Sequence, residues 1–174
     1  MAASGVKRRE LAATVGKRGT GGKEVVIGVK DRETNEVAAR RISQTDAKAL
    51  QGFVREHLAP GATLCTDEAH AYKGMPEFRH EAVNHGVGEY VREMAHTNGM
   101  ESFWAMLKRG YVGTYHKISP KHLQRYVDEF AGRHNVRPLD TLDQMQSVVV
   151  GMVGKRLTYK AVIADNGLPS GART

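Results

Sequence analysis

The chain has 174 residues, enough for one domain with a hydrophobic core, and 26 Lys and Arg against 19 Asp and Glu leave a formal charge of +7. That surplus favours a polyanionic partner, most commonly nucleic acid. No apolar run approaches the ~20 residues of a membrane span and no apolar h-region opens the chain. The single cysteine, Cys65, excludes an internal disulfide and any cysteine-rich zinc module, so the expectation is a cytoplasmic protein with no membrane partner.

Residues 1–22 hold Lys7, Arg8, Arg9, Lys17 and Arg18 among Gly and Ala without a sustained period, which predicts a basic, flexible arm. The GTGGK at 19–23 lacks the spacing and the following Ser/Thr of a phosphate loop. Ordered structure is expected from "EVVIGVKDRETNEVAARRIS". There Val25–Val29 and Val37–Ile42 form a hairpin around the turn-like Asp31–Asn35.

Thr45 or Asp46 caps a helix whose Ala49, Leu50, Phe53, Val54 and Leu58 share a face, and Pro60-Gly61 ends it. "ATLCTDEAHAY" reads as a short buried strand, Ala62–Thr66, ending in Asp67, with a second β-like piece at Ala82–Val91. In "HTNGMESFWAMLKRG", Met100, Phe103, Trp104 and Leu107 take the i, i+3, i+4, i+7 positions of a core-facing helix. Ser119 as N-cap and Pro120 as first residue then open a helix with Leu123, Tyr126, Val127 and Phe130 inward. Thr141–Val153 is helical, Leu157–Ile163 is ambiguous, and residues 164–174 form a disordered tail. This order of elements predicts an α/β domain.

Glu101 and Lys108 lie along the edge of the apolar stripe, seven residues apart and so within roughly 20° of each other about the helix axis. A surface ion pair would use a spacing of three or four. At seven, each is placed to meet something else, although either alone reads as a solvated flank. Asp67 ends a central strand, where α/β sheets place their sites, but a lone strand-end Asp also serves as a cap or turn former. Two carboxylates, one from a strand end and one from a helix, suit Mg²⁺, which takes one or two protein carboxylates and completes its shell with phosphate and water. His96 caps the helix or meets a phosphate, and His116 in "GTYH" sits in a loop open to a bound strand. Arg133, Asn135 and Arg137 either line a basic face or end a helix before Pro138. Trp104 on the apolar stripe reads as core, and Cys65 as a buried strand residue.

The stretches "TDEAHAY", "VNHGVGEYV", "HTNGMESFWAMLKRGYVGTYHKIS" and "KHLQRYVDEFAGRHNVR" occur in this order. Together they closely resemble the catalytic domain of bacterial insertion-sequence DDE transposases of the ISXO-like group. The resemblance spans about Gly22 to Ile163 and is most specific from His96 to Arg137. It implies an α/β, RNase H-like mixed sheet flanked by helices. It makes Asp67 the second and Glu101 the third acidic member of a triad, with Mg²⁺ or Mn²⁺ as cofactor, and Lys108 the basic residue this group carries after the Glu. Lys108, Arg109, His96, Asn98, His116 and Arg133 are the candidates for DNA contact.

The implied function is metal-dependent cleavage and strand transfer of transposon ends. The implied partners are terminal inverted repeats, target DNA and, in the acting complex, further copies of the chain.

Members of this group carry their first catalytic Asp on the opening strand, in a stretch resembling D-E-T-Y-x-G-G. Nothing like it precedes the hairpin, and Asp31 belongs to a turn. The expectation is therefore a catalytic domain over residues 23–163 whose first strand is missing and whose chain is inactive alone. The alternative is a non-catalytic DNA-binding or oligomerising remnant. A nuclease or resolvase of another RNase H-like kind fits the run from His96 to Gly110 less well.

Overall fold

The computed structural model describes residues 2–6, 9–12, 23–43, 46–67, 72–83 and 98–164. Within them the strands are β1 (Ala2–Val6), β2 (Arg9–Ala12), β3 (Lys23–Asp31), β4 (Val37–Ile42), β5 (Thr63–Asp67) and β6 (Arg79–Val83). The helices are α1 (Ala47–His57), α2 (Asn98–Gly110), α3 (Leu123–Val136), α4 (Thr141–Met152) and α5 (Tyr159–Ile163), and α2 continues into a π-helical turn at Tyr111–Tyr115.

Alternation along β3 builds both faces of the sheet. Ile27 and Val29 enter a core with Leu50, Phe53 and Val54 of α1 and Leu64 of β5. Val26 enters a second core with Met100, Phe103, Trp104 and Leu107 of α2 and Leu123 and Val127 of α3. A strand covered on both faces reads as a near-continuous apolar run, which is why "VVIGV" carries so clear a signal. The expected stripe Met100, Phe103, Trp104 and Leu107 is buried, as are Leu50, Phe53 and Val54 of α1, Leu58 at its C-cap, and Leu123 and Val127 of α3. Ala49, Tyr126 and Phe130 are half-buried, and Cys65 is a buried strand residue.

The hairpin β3–β4 is antiparallel, from Val25↔Ile42 to Lys30↔Val37. Asp31 Oδ1 ties its turn by accepting from the Glu33 and Thr34 amides at 2.7 and 3.4 Å. The other edge of β3 is shared: β2 pairs antiparallel with its Lys23–Val26 end and β1 with its Lys30–Asp31 end. β1 in turn runs parallel to β5, and β5 parallel to β6. An antiparallel hairpin continued by three parallel strands, with helices on both faces, is a mixed α/β fold of the RNase H-like kind.

This arrangement corrects the expectation that the first strand is missing. The position between β3 and β5 is filled by Ala2–Val6, from the stretch expected to be an arm. "AASGV" offers no apolar alternation to read, because a short strand paired on both sides is held by its backbone hydrogen bonds. Two boundaries also move. The strand expected at Ala82–Val91 is β6, Arg79–Val83, and the rest of that stretch lies outside the described residues. Ser119 and Pro120 do not open a helix directly. Their carbonyls accept from His122 and Leu123 in a separate turn, at 3.0 and 3.3 Å, and α3 starts at Leu123. Asp46, by contrast, caps α1 as expected, accepting from the Ala49 amide at 2.9 Å.

Edge strand β4 is closed by α3. Asn135 Oδ1 accepts from the Val37 amide at 2.8 Å, and its Nδ2 donates to the Val37 carbonyl at 3.0 Å. Gln124 does the same further along, accepting from the Arg41 amide at 2.6 Å and donating to the Ala39 carbonyl at 3.3 Å. Covering an exposed edge in this way removes a template for strand addition.

Candidate functional site

Three backbone positions fall level across the sheet: Lys30 of β3 pairs with Ser4 of β1, and Ser4 pairs with Cys65 of β5. Asp67 lies two residues beyond Cys65, at the C-terminal end of β5, where it pairs with Val83 of β6. Helix α2 packs on β1 and β3. Its start is fixed by Gly99, where an added Cβ would lie 2.9 Å from Lys30 Cδ. The first turn of α2 therefore packs against Lys30, whose backbone is level with Ser4 and with Cys65, two residues before Asp67 along β5. Glu101 belongs to that first turn and is half-buried. An acid there also interacts favourably with the positive end of the helix dipole.

The close approach of α2 depends on Gly28. A Cβ at that position would lie 2.6 Å from Met100 Cε and 3.0 Å from the Trp104 ring. The alternation Val26, Gly28, Lys30 thus leaves a groove in the sheet for the apolar stripe of α2. At the far end, Gly110 allows α3 to approach, since a Cβ there would fall 2.2 Å from Phe130 Cζ.

Lys108 and Arg109 are exposed in the last turn of α2, about 10 Å along the axis from Glu101 at 1.5 Å per residue. His116 is exposed and ends the π-helical turn with φ +55°, a conformation uncommon outside glycine. The turn is pinned by Tyr115, whose ring meets Tyr126 edge-on at 4.6 Å. Arg133 is exposed on α3 and pairs with Glu129 at 2.7 Å. Asn98 is the first residue of α2, and His96 lies outside the described residues. Asn98 and Glu101 thus stand at the start of α2 and Lys108 and Arg109 at its end, with His116 beyond it. Asn135 is not at the site; it holds the sheet edge.

Lys30 was not singled out from the sequence. It sits beneath the start of α2, and burial lowers its pKa from the usual lysine value. The available signal was its alternation: Lys30 follows Val26 and Gly28 on the face that α2 covers, where a charge is out of pattern. Burial raises the pKa of the Cys65 thiol, against the lowering effect of Arg32 and with a smaller raising effect from Glu81.

A divalent ion has to be judged by the donors available. Asp67 and Glu101 are hard oxygen donors of the kind Mg²⁺ prefers, and two carboxylates are within its usual number. β1 contributes none, its sequence being Ala-Ala-Ser-Gly-Val. Among the described residues no group of three or more His, Cys, Asp and Glu is arranged to hold a metal.

No helix among the described residues is long and apolar enough to cross a membrane. No match is found among curated proteins. The model of the ISXO2-like transposase domain matches residues 4–135, which takes in β1 through nearly all of α3. A match over three quarters of the chain, beginning inside its first strand, agrees with the mixed α/β fold: the chain belongs to the ISXO2-like transposase family.

Proposed function

We propose that Asp67 and Glu101 form the metal-binding part of a transposase site that cleaves and joins the ends of an insertion sequence. The observation that supports this reading is the packing of Gly99, in the first turn of α2, against Lys30, whose row across the sheet reaches β5 at Cys65, two residues before Asp67. Magnesium or manganese bound there would supply Lewis-acid stabilisation of phosphodiester oxygens and lower the pKa of an attacking water. The protein's own part is positional. Asp67 and Glu101 supply fixed oxygen donors, with Glu101 held by a helix whose apolar face is locked on Gly28. Lys108 and Arg109 lie farther along α2, where a DNA backbone leaving the site meets exposed cations, and His116 and Arg133 extend that surface. Arg133 would exchange Glu129 for a phosphate, a small cost for an exposed pair.

A second reading has one specific observation in its favour. The strand that fills the first position, β1, holds no carboxylate. A chain with two of three acids would bind DNA and divalent ion yet leave ends unjoined. Titration of Mn²⁺ into the full chain separates the outcomes. Saturable binding that Asp67→Asn and Glu101→Gln each weaken at least tenfold supports the site. Binding unaffected by either substitution removes the proposal.

A further inference from the structure

Helix α4 lies beyond the matched transposase domain and buries none of its residues. Leu142, Met145, Val149 and Met152 are each 60–77% exposed. They stand at i, i+3, i+7 and i+10, the a and d positions of two heptads, a narrower stripe than a helix packed on a globular core shows. Val148 and Val153 flank the seam and are also exposed.

The helix is presented in a defined way. Asp140 caps its start by accepting from the Asp143 amide at 2.9 Å. After α4 the chain returns to α3. There Arg125 donates to the Val162 and Ala161 carbonyls at 2.9 and 2.5 Å, and Lys121 donates to the Ile163 carbonyl at 3.3 Å. Polar ties on both sides hold out an apolar helix.

We infer that α4 is a self-association element that pairs with α4 of a second copy of this chain. Two arguments choose that occupant. From Thr141 to Gly154 the only charged residue is Asp143, so this is a stretch of a +7 chain where two copies meet without opposing positive charges. The area is also sufficient. Six aliphatic side chains, about two-thirds exposed and each worth ~90 Å² when buried, bring roughly 350 Å² of apolar surface per copy. At the ~65% apolar share of homodimer interfaces this corresponds to about 1,100 Å² in total, above the ~1,000 Å² a specific interface needs. A seam of Leu, Met and Val facing its own copy is self-complementary, as a two-fold interface requires.

The test is the mass of the full chain in solution without DNA, by sedimentation equilibrium. A concentration-dependent dimer is expected. Val149→Glu, on the seam, should return the chain to monomer, while Val150→Glu, one residue on and off the seam, should leave the dimer intact. Both positions are exposed, so the far-UV spectrum of either variant should match that of the parent chain. A parent chain monomeric at every concentration overturns the inference. So does a dimer that Val149→Glu leaves intact, or one formed only with DNA or another protein present.

Discussion

Trp104 of α2 lies against Gly28 of β3 so closely that a single methyl group at Gly28 would come within 3.1 Å of two atoms of its ring. No positive φ is involved, so the requirement for glycine is purely one of space. Met100 Cε, the nearest atom, ends a flexible side chain and can move, but the buried Trp104 ring has nowhere to go. Gly28→Ala should therefore destabilise the fold by about 1–3 kcal/mol, the usual cost of overpacking. It should also weaken divalent-ion binding, because α2 must lift from the sheet and carry Glu101 with it. Urea unfolding and Mn²⁺ titration on the same variant check both parts; unchanged affinity would uncouple helix seating from the site.

The clamp of Asn135 on Val37 makes a different kind of prediction. Asn135→Ala removes both hydrogen bonds and leaves a part-buried amide and carbonyl of β4 without these partners. A loss of about 1–3 kcal/mol is expected, as for buried polar groups deprived of partners. Asn135→Asp should be nearly as damaging, since a carboxylate accepts from the Val37 amide but repels its carbonyl. Equal stability of Asn135→Asp and the parent chain would show that only the acceptor half matters.

Stability should fall on mild acidification. Burial lowers the pKa of His80, with Lys73 adding to the effect, and burial also lowers that of His134, followed by Lys30. A depressed folded pKa means that the unfolded chain binds protons first. The contribution is therefore complete above about pH 6.5, the ordinary histidine value, and is lost as pH drops through the lower folded values. His80 Nε2 is also engaged by Thr66 Oγ1 at 2.7 Å in the core. His80→Gln should flatten the dependence of unfolding free energy on pH between 8 and 5. A slope identical to the parent's would assign the effect to other groups.

Binding to duplex DNA should be governed by salt. With a +7 chain and exposed cations along α2 and α3, log K should fall linearly with log salt, each phosphate contact adding about 0.9 to the slope. Lys108→Ala and Arg109→Ala should each reduce the slope by about one if they touch phosphate. If they lower affinity without changing the slope, their contacts are to bases.

Activity should depend on the missing carboxylate. The chain as it stands is expected to bind Mn²⁺ without joining terminal-repeat ends. An aspartate introduced into β1 at Ser4, level with Cys65, should tighten ion binding and bring cleavage within detection. Glu101→Gln in that background should abolish the gain. Joining by the unaltered chain would mean that another residue completes the site.

Much of this was legible along the chain because it is written in local periods. The apolar alternation of Val25–Val29, the stripe of Met100, Phe103, Trp104 and Leu107, and the cap at Asp46 each declare an element from neighbours in sequence. Asp67 and Glu101 could be singled out because a strand end and a helix edge are local properties as well. What no local pattern carries is pairing. That Ala2–Val6 lies between β3 and β5 is decided by backbone hydrogen bonds to partners tens of residues away, which small side chains such as Ala and Ser do not advertise. That Asn135 closes a sheet edge is fixed by a contact 98 residues distant. That Lys30 sits beneath Gly99 is likewise set by how a helix lands on a strand. The exposure of α4 belongs to the same class. Thr141–Val153 reads as helical from sequence, and only the packed molecule shows its apolar side chains left exposed.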